Sequence, residues 1–239
     1  MLGVRKILAR LREDVVALVY PPQCLLCLDF EVATYNRFLC ENCWLRTLAE
    51  PIPPLRNWKL DHPSATVSEH CDFDLAAWQY QGAMAMLIPA MKYREHPSFA
   101  KMLGAPAAER LREPLDFILP SQPVLIPVPL HLRRQRERGF NQSTLIAAAL
   151  AQHLHLEMWS DAVRRVRFTD TQASLNAIER MNNVADAFAA KPGLALQGRA
   201  VLLVDDVITT GATISACARV AKEAGATHVG AVALARVGR

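Results

Sequence analysis

The stretch Val201–Thr213, VLLVDDVITTGAT, sets four apolar residues against two adjacent carboxylates and then a threonine-rich turn around Gly211. Val201 to Val204 is short and partly β-branched and shows no polar alternation, so it reads as a strand buried on both faces, in the middle of a sheet. A buried parallel strand delivers whatever follows it to the carboxyl edge of the sheet, where open α/β folds take their ligands. Asp205 and Asp206 are expected there. Next come Thr209, Thr210, Gly211, Ala212 and Thr213. A glycine turn that opens a helix presents successive unpaired backbone N–H groups, and the threonine hydroxyls add donors, a combination suited to a dianionic phosphate. The carboxylates would repel that phosphate; they suit a diol or a bound Mg²⁺. Together the parts describe a ligand with a phosphate at one end and hydroxyls a short distance away, the layout of a ribose 5-phosphate.

The rest of the chain bounds this reading. Its 239 residues can bury one sizeable core and a small second module. With 51% hydrophobic and 21% charged residues the chain has the composition of a globular protein, not a disordered one. The longest apolar run, Leu145 to Ala151, is far short of a bilayer span, and no membrane span is expected. Arg5, Lys6, Arg10, Arg12, Glu13 and Asp14 interrupt the first turns where a secretory signal needs an unbroken apolar core, so a cytoplasmic location is expected. The formal net charge of +4 is mild, although the basic residues are clustered.

Cysteines give the second motif. Cys24, Cys27, Cys40 and Cys43 form two C-x2-C pairs, while Cys71 and Cys217 stand alone. In a reducing compartment such spacing favours thiolate ligation of a structural Zn²⁺ over disulfides, because each pair can turn two sulfurs inward and two pairs close a tetrahedron. Free or redox-active thiols are the alternative. Cys71 reads as a leftover thiol and Cys217 as a small core residue on a helix.

Four regions follow. Residues 1–20 place Val4, Ile7, Leu8, Leu11, Val15, Leu18 and Val19 on one helical stripe, an amphipathic helix expected to pack on its neighbour. Residues 21–48 hold the cysteine module. Residues 49–72, proline-rich and without periodicity, read as a linker. From residue 73 to residue 239 strand-like and helix-like stretches alternate. LAAWQY, VLIPV, RAVLLV and HVGAVALA read as strands, STLIAAALAQHL as a helix opened by Ser143, and TISACARVAKEAG as a helix ended by Gly225. Such alternation predicts an α/β fold: a mostly parallel sheet with flanking helices. A response-regulator receiver domain also ends a strand in paired aspartates, but it needs three more strand and helix units after them, more than Val207 to Arg239 can supply.

Val201–Thr213 resembles, along its whole length, the phosphoribosyl pyrophosphate signature of type I phosphoribosyltransferases. The resemblance narrows to the ComF family, associated with competence. PVPLHLRRQRERGFNQS, Pro127 to Ser143, looks like that family, as does TDTQASLNAIERMNNVADAF; Tyr80, Gly82, Leu87, Ile88, Lys92 and Tyr93 form a weaker match. One departure stands out. Many members carry further cysteine pairs, of which only Cys71 remains here.

The resemblance implies a type I phosphoribosyltransferase-like domain behind a small four-cysteine module. It assigns the ribose hydroxyls, with Mg²⁺, to Asp205 and Asp206, and the 5-phosphate to Thr209 through Thr213. Pyrophosphate falls to the loop after VLIPV, where His131, Arg133, Arg134, Arg136 and Arg138 supply charge and Arg138, Gly139, Asn141 and Gln142 are the expected contacts. Phe168 to Asn183 resembles the hood loop that closes over substrate, with Gln172, Arg180 and Asn183 facing it. Two functions are compatible with this pattern. One is an enzyme, a phosphoribosyltransferase acting on phosphoribosyl pyrophosphate and an unidentified acceptor, with no general base evident in the sequence. The other is a non-catalytic nucleotide-sensing or single-stranded DNA-binding module, in which the arginines and Phe140, Trp44 or Trp58 would line a charged, stacking track. By resemblance, a partner of the DNA-uptake machinery such as a helicase is expected.

Overall fold

A computed structural model of the chain describes residues 23–30, 38–57, 70–93, 98–119, 122–167 and 186–238. The chain divides into two compact units, Met1–Glu50 and Pro51–Arg239. The expected helix at 1–20, Trp58, and the hood residues Gln172, Arg180 and Asn183 lie outside the described residues.

In the first unit the cysteine pairs shape the backbone. Leu28 takes a left-handed φ of 64° and its N–H donates to the carbonyl of Cys24 at 2.9 Å, so the chain turns tightly around the first pair. The second pair opens α1, Glu41–Ala49. Cys40 caps this helix, its sulfur accepting from the N–H of Cys43 at 3.4 Å. Leu25 N–H donates to the Phe38 carbonyl at 2.9 Å and ties the two halves together.

The second unit is built on a six-stranded sheet. Its strands are β1 (Arg56–Asn57), β2 (Phe73–Gln79), β3 (Val124–Pro127), β4 (Glu157–Met158), β7 (Ala200–Ile208) and β8 (His228–Arg236), in the order β1-β2-β8-β7-β3-β4. All neighbours run parallel except β1 with β2. A separate antiparallel pair joins β5 (Val163–Arg165) to β6 (Phe188–Ala190). The helices are α2 (Gly82–Tyr93), α3 (Ser98–Ile118), α4 (Leu132–Arg138), α5 (Gln142–Leu154) and α6 (Ala212–Glu223).

β7 lies between β3 and β8, as its apolar run requires, and Val201 through Val204 are fully buried. The strand does not stop at Val204. It carries both aspartates to Ile208, because β8 is long enough to keep pairing: Asp205 lies opposite Ala233 and Ile208 opposite Arg236. From β7 the chain crosses through α6 to β8 on one side, and from β3 through α5 to β4 on the other. The carboxyl ends of β3 and β7 therefore face each other where the winding reverses, the place at which such sheets leave a crevice.

Three expectations need correction. Arg56 and Asn57, inside the stretch expected to be a linker, form the edge strand β1. A buried ion network holds them. Asp74, fully buried on β2, accepts from Arg236 Nη1 at 2.7 Å and pairs with Arg56 Nε at 3.0 Å, while Arg236 Nη2 donates to the Pro54 carbonyl at 2.6 Å. A carboxylate so far from water needs such partners. The basic string after β3 is helix α4, not an open loop, and none of its residues is buried. Helix α5 is opened by Asn141, whose side-chain oxygen accepts from Ser143 N–H at 3.2 Å; Ser143, the expected cap, turns elsewhere. Cys71 and Cys217 are fully buried core thiols. No helix among the described residues is long and apolar enough to cross a membrane.

Candidate functional site

The crevice between β3 and β7 is built from three segments. β7 brings Asp205, half-buried, and Asp206, buried. The turn beyond it, Thr209 to Gly211, leads into α6, and Gly211 caps that helix with φ 82°, a left-handed conformation that favours glycine. No side chain caps the helix end; Ala212 N–H has only a long 3.5 Å contact to Thr210 Oγ1. The first N–H groups of a helix have no partner within it, so this turn presents donors beside the carboxylates.

The segment after β3 supplies the opposite wall. Val128 N–H donates to the Val204 carbonyl at 2.9 Å, extending the strand pairing to the rim. Gly139, at φ 78°, ends α4 and donates its N–H to the Gln135 carbonyl at 2.8 Å. Asn141 Nδ2 donates to the Val128 carbonyl at 3.0 Å, so this residue both caps α5 and pins the loop. Gln142 is buried, 3% exposed. Of the four residues expected at pyrophosphate, Arg138 alone has a charge to offer. The other three shape the wall.

Two residues meet the acidic pair that the sequence did not place there. Ser143 Oγ donates to Asp205 Oδ1 at 2.9 Å, joining the start of α5 to β7. Lys92, on the last turn of α2, places Nζ 2.8 Å from Asp206 Oδ2. The signal for Lys92 was its isolation as the one charged residue in GAMAMLIPAMKY, within the weaker family match. Ser143 carried no signal beyond its position at a helix start.

The electrostatics follow from crowding. Burial and the neighbouring Asp206 carboxylate push the Asp205 carboxyl up to about 7, against the Lys92 cation, the Asp206 N–H and the Ser143 hydroxyl, which pull it down. Arg165, on β5 with its guanidinium 5.4 Å from the Phe188 ring centre, is lowered by burial and by the Arg134 cation, with Asp205 opposing. Lys92 on α2 and Arg165 on β5 thus feel the acidic pair, and each is opposed by a cation of α4, Lys92 by Arg138 and Arg165 by Arg134.

The first unit holds a separate centre. The sulfurs of Cys24, Cys27, Cys40 and Cys43 lie within 4.8 Å of one another, and Cys27 and Cys40 stand 3.7 Å apart. A tetrahedral Zn–S bond of about 2.3 Å implies sulfur separations of about 3.8 Å, so the donor set fits a metal such as zinc. Three of the four cysteines are buried. The fourth, Cys27, is exposed.

Comparison with known proteins agrees with this construction. The phosphoribosyl transferase domain family matches residues 141–239, from the start of α5 through β7 and β8. The DNA utilization protein YhgH of Shigella flexneri is 43% identical over 197 residues, 81% of this chain and 82% of that protein. Competence protein F of Haemophilus influenzae is 38% identical over 113 residues, 47% of this chain and 49% of that protein. A solved purine phosphoribosyltransferase from Pyrococcus horikoshii overlaps 57% of this chain and 70% of that chain, at 20% identity and a TM-score of 0.36. So loose an overlap carries no weight of its own. The parallel sheet with its crevice at β3 and β7 is the type I phosphoribosyltransferase-like fold, and with relatives of this extent the chain belongs to the ComF family of phosphoribosyltransferase-domain proteins.

Proposed function

We propose that the crevice binds phosphoribosyl pyrophosphate together with Mg²⁺. The observation that carries this reading is the adjacency, on one strand and its turn, of two carboxylates and an uncapped helix start, Asp205 and Asp206 followed by Thr209 through Thr213. The carboxylates accept the ribose hydroxyls, and the N–H groups and hydroxyls of the turn take the 5-phosphate. Arg138 faces the pyrophosphate, with Gly139, Asn141 and Gln142 setting the position of its wall. The donor set suits a divalent cation, since Asp206 Oδ2 already holds a cationic group, the Lys92 ammonium, at 2.8 Å. Bound Mg²⁺ would neutralise charge on the departing pyrophosphate. On this reading the protein is a phosphoribosyltransferase whose acceptor is open.

The cysteine centre is read as a Zn²⁺ site with a structural role. Relatives are named for DNA utilization and for competence, and we extend such a role to this chain. A second reading rests on α4, which exposes Arg133 and Arg136 along a helix with no buried residue. Such a face suits phosphates of single-stranded DNA. Different measurements separate the two. Melting curves with Mg²⁺ and phosphoribosyl pyrophosphate should shift upward, and pyrophosphate release with candidate acceptors distinguishes transfer from sensing. A melting point indifferent to this ligand at millimolar concentration would remove the first reading and leave the DNA-binding one.

A further inference from the structure

Lys92 belongs to neither ligand segment of the crevice. It sits on α2, far from both in sequence, yet its ammonium reaches Asp206 Oδ2 at 2.8 Å with the two side chains 25% and 9% exposed. We propose that Lys92 is a surrogate cation that occupies Asp206 in the free protein and yields it only when metal and pyrophosphate arrive together, so that the metal does not load alone. This rests on the reading of the crevice as a site for Mg²⁺ and phosphoribosyl pyrophosphate.

Charge balance sets the order of loading. A divalent cation entering by itself competes with the ammonium for one carboxylate oxygen and leaves Lys92 displaced among other cations. The 2.8 Å ion pair with Asp206 Oδ2 is what this partly buried ammonium gives up on displacement, so it then needs another anion. Pyrophosphate supplies one, near Arg138, so the same event that brings the metal also gives Lys92 a new partner. Two ligands that each relieve the other's cost are positively coupled, and the coupling is reciprocal.

The test uses the full chain and Mn²⁺ as the probe, titrated with and without phosphoribosyl pyrophosphate. In wild type, Mn²⁺ alone should bind weakly and bind more tightly with the second ligand present. Lys92→Met should bind Mn²⁺ alone on the order of tenfold more tightly, and the enhancement by phosphoribosyl pyrophosphate should shrink by a similar factor, within the usual range of coupling. Lys92→Gln, which keeps a donor for Asp206 without the charge, gives the same readout should the methionine variant fail to fold. Unchanged Mn²⁺ binding in a folded variant overturns the role of Lys92 while leaving the site itself standing, provided wild type takes up phosphoribosyl pyrophosphate. Failure of wild type to bind that ligand at all overturns both.

Discussion

Asp205 shows how much one carboxylate can report. Its folded value of about 7 lies far above the unfolded value of about 3.9, so between these the folded protein holds a proton that the unfolded chain has released. The contribution to stability is fully present below about pH 4 and is lost as pH rises through about 7. Chemical denaturation in metal-free buffer should therefore show wild type losing stability from about pH 4 to about pH 7 relative to Asp205→Asn, which lacks this titration; parallel profiles would contradict it. Ser143→Ala removes one of the bonds that pull Asp205 down. Its carboxyl resonance should titrate at higher pH in that variant, and the protein should lose about 1 kcal/mol, the net worth of one hydrogen bond. Asp205 itself was legible in the sequence because it follows an apolar strand. The role of Ser143 was not: a serine at a helix start is usually read as a cap, and only the fold shows that Asn141 takes that position and leaves the hydroxyl for β7.

Among the elements, β7, β8 and the helices α5 and α6 were readable because each pairs an apolar pattern with a stop or start signal. α2 and α3 were not, since Pro89, Pro106 and Pro114 interrupt them. Proline removes an N–H and discourages a helical reading. Burial outweighs that local cost here: in α3 Phe99, Leu103, Ala107 and Leu111 all face the core. α4 was hidden for the opposite reason, having charges and no apolar stripe to betray its period. The turn into α6 gives the prediction proper to this scale. Gly211→Ala forces a side chain into φ 82° and should cost about 1–2 kcal/mol in thermal or chemical denaturation. Full stability in that variant would mean that the turn is free to adopt another conformation.

At the scale of the whole molecule, the two units have different sources of stability. The first is short and gathers its cysteines around one centre, so removing metal with a chelator should unfold it, as small metal-bound modules do. The second should keep its melting transition, because its core is the six-stranded sheet. Loss of both transitions together on chelation would contradict this division. Within the second unit, Asp74→Ala strips the buried Arg236 of its carboxylate and should cost about 3–5 kcal/mol. The edge strand was not legible in the sequence, since its hold on β2 depends on Arg56 meeting an aspartate beyond the intervening segment. The central claim is that the acidic pair and the turn beyond it form one ligand site. Calorimetric titration of wild type and Asp206→Asn with phosphoribosyl pyrophosphate in Mg²⁺ tests it most directly. Wild type should bind, and the variant should lose about 1.5–3 kcal/mol, the range for hydrogen bonds to a charged group. No heat from wild type at millimolar ligand, or equal binding by Asp206→Asn, would contradict it.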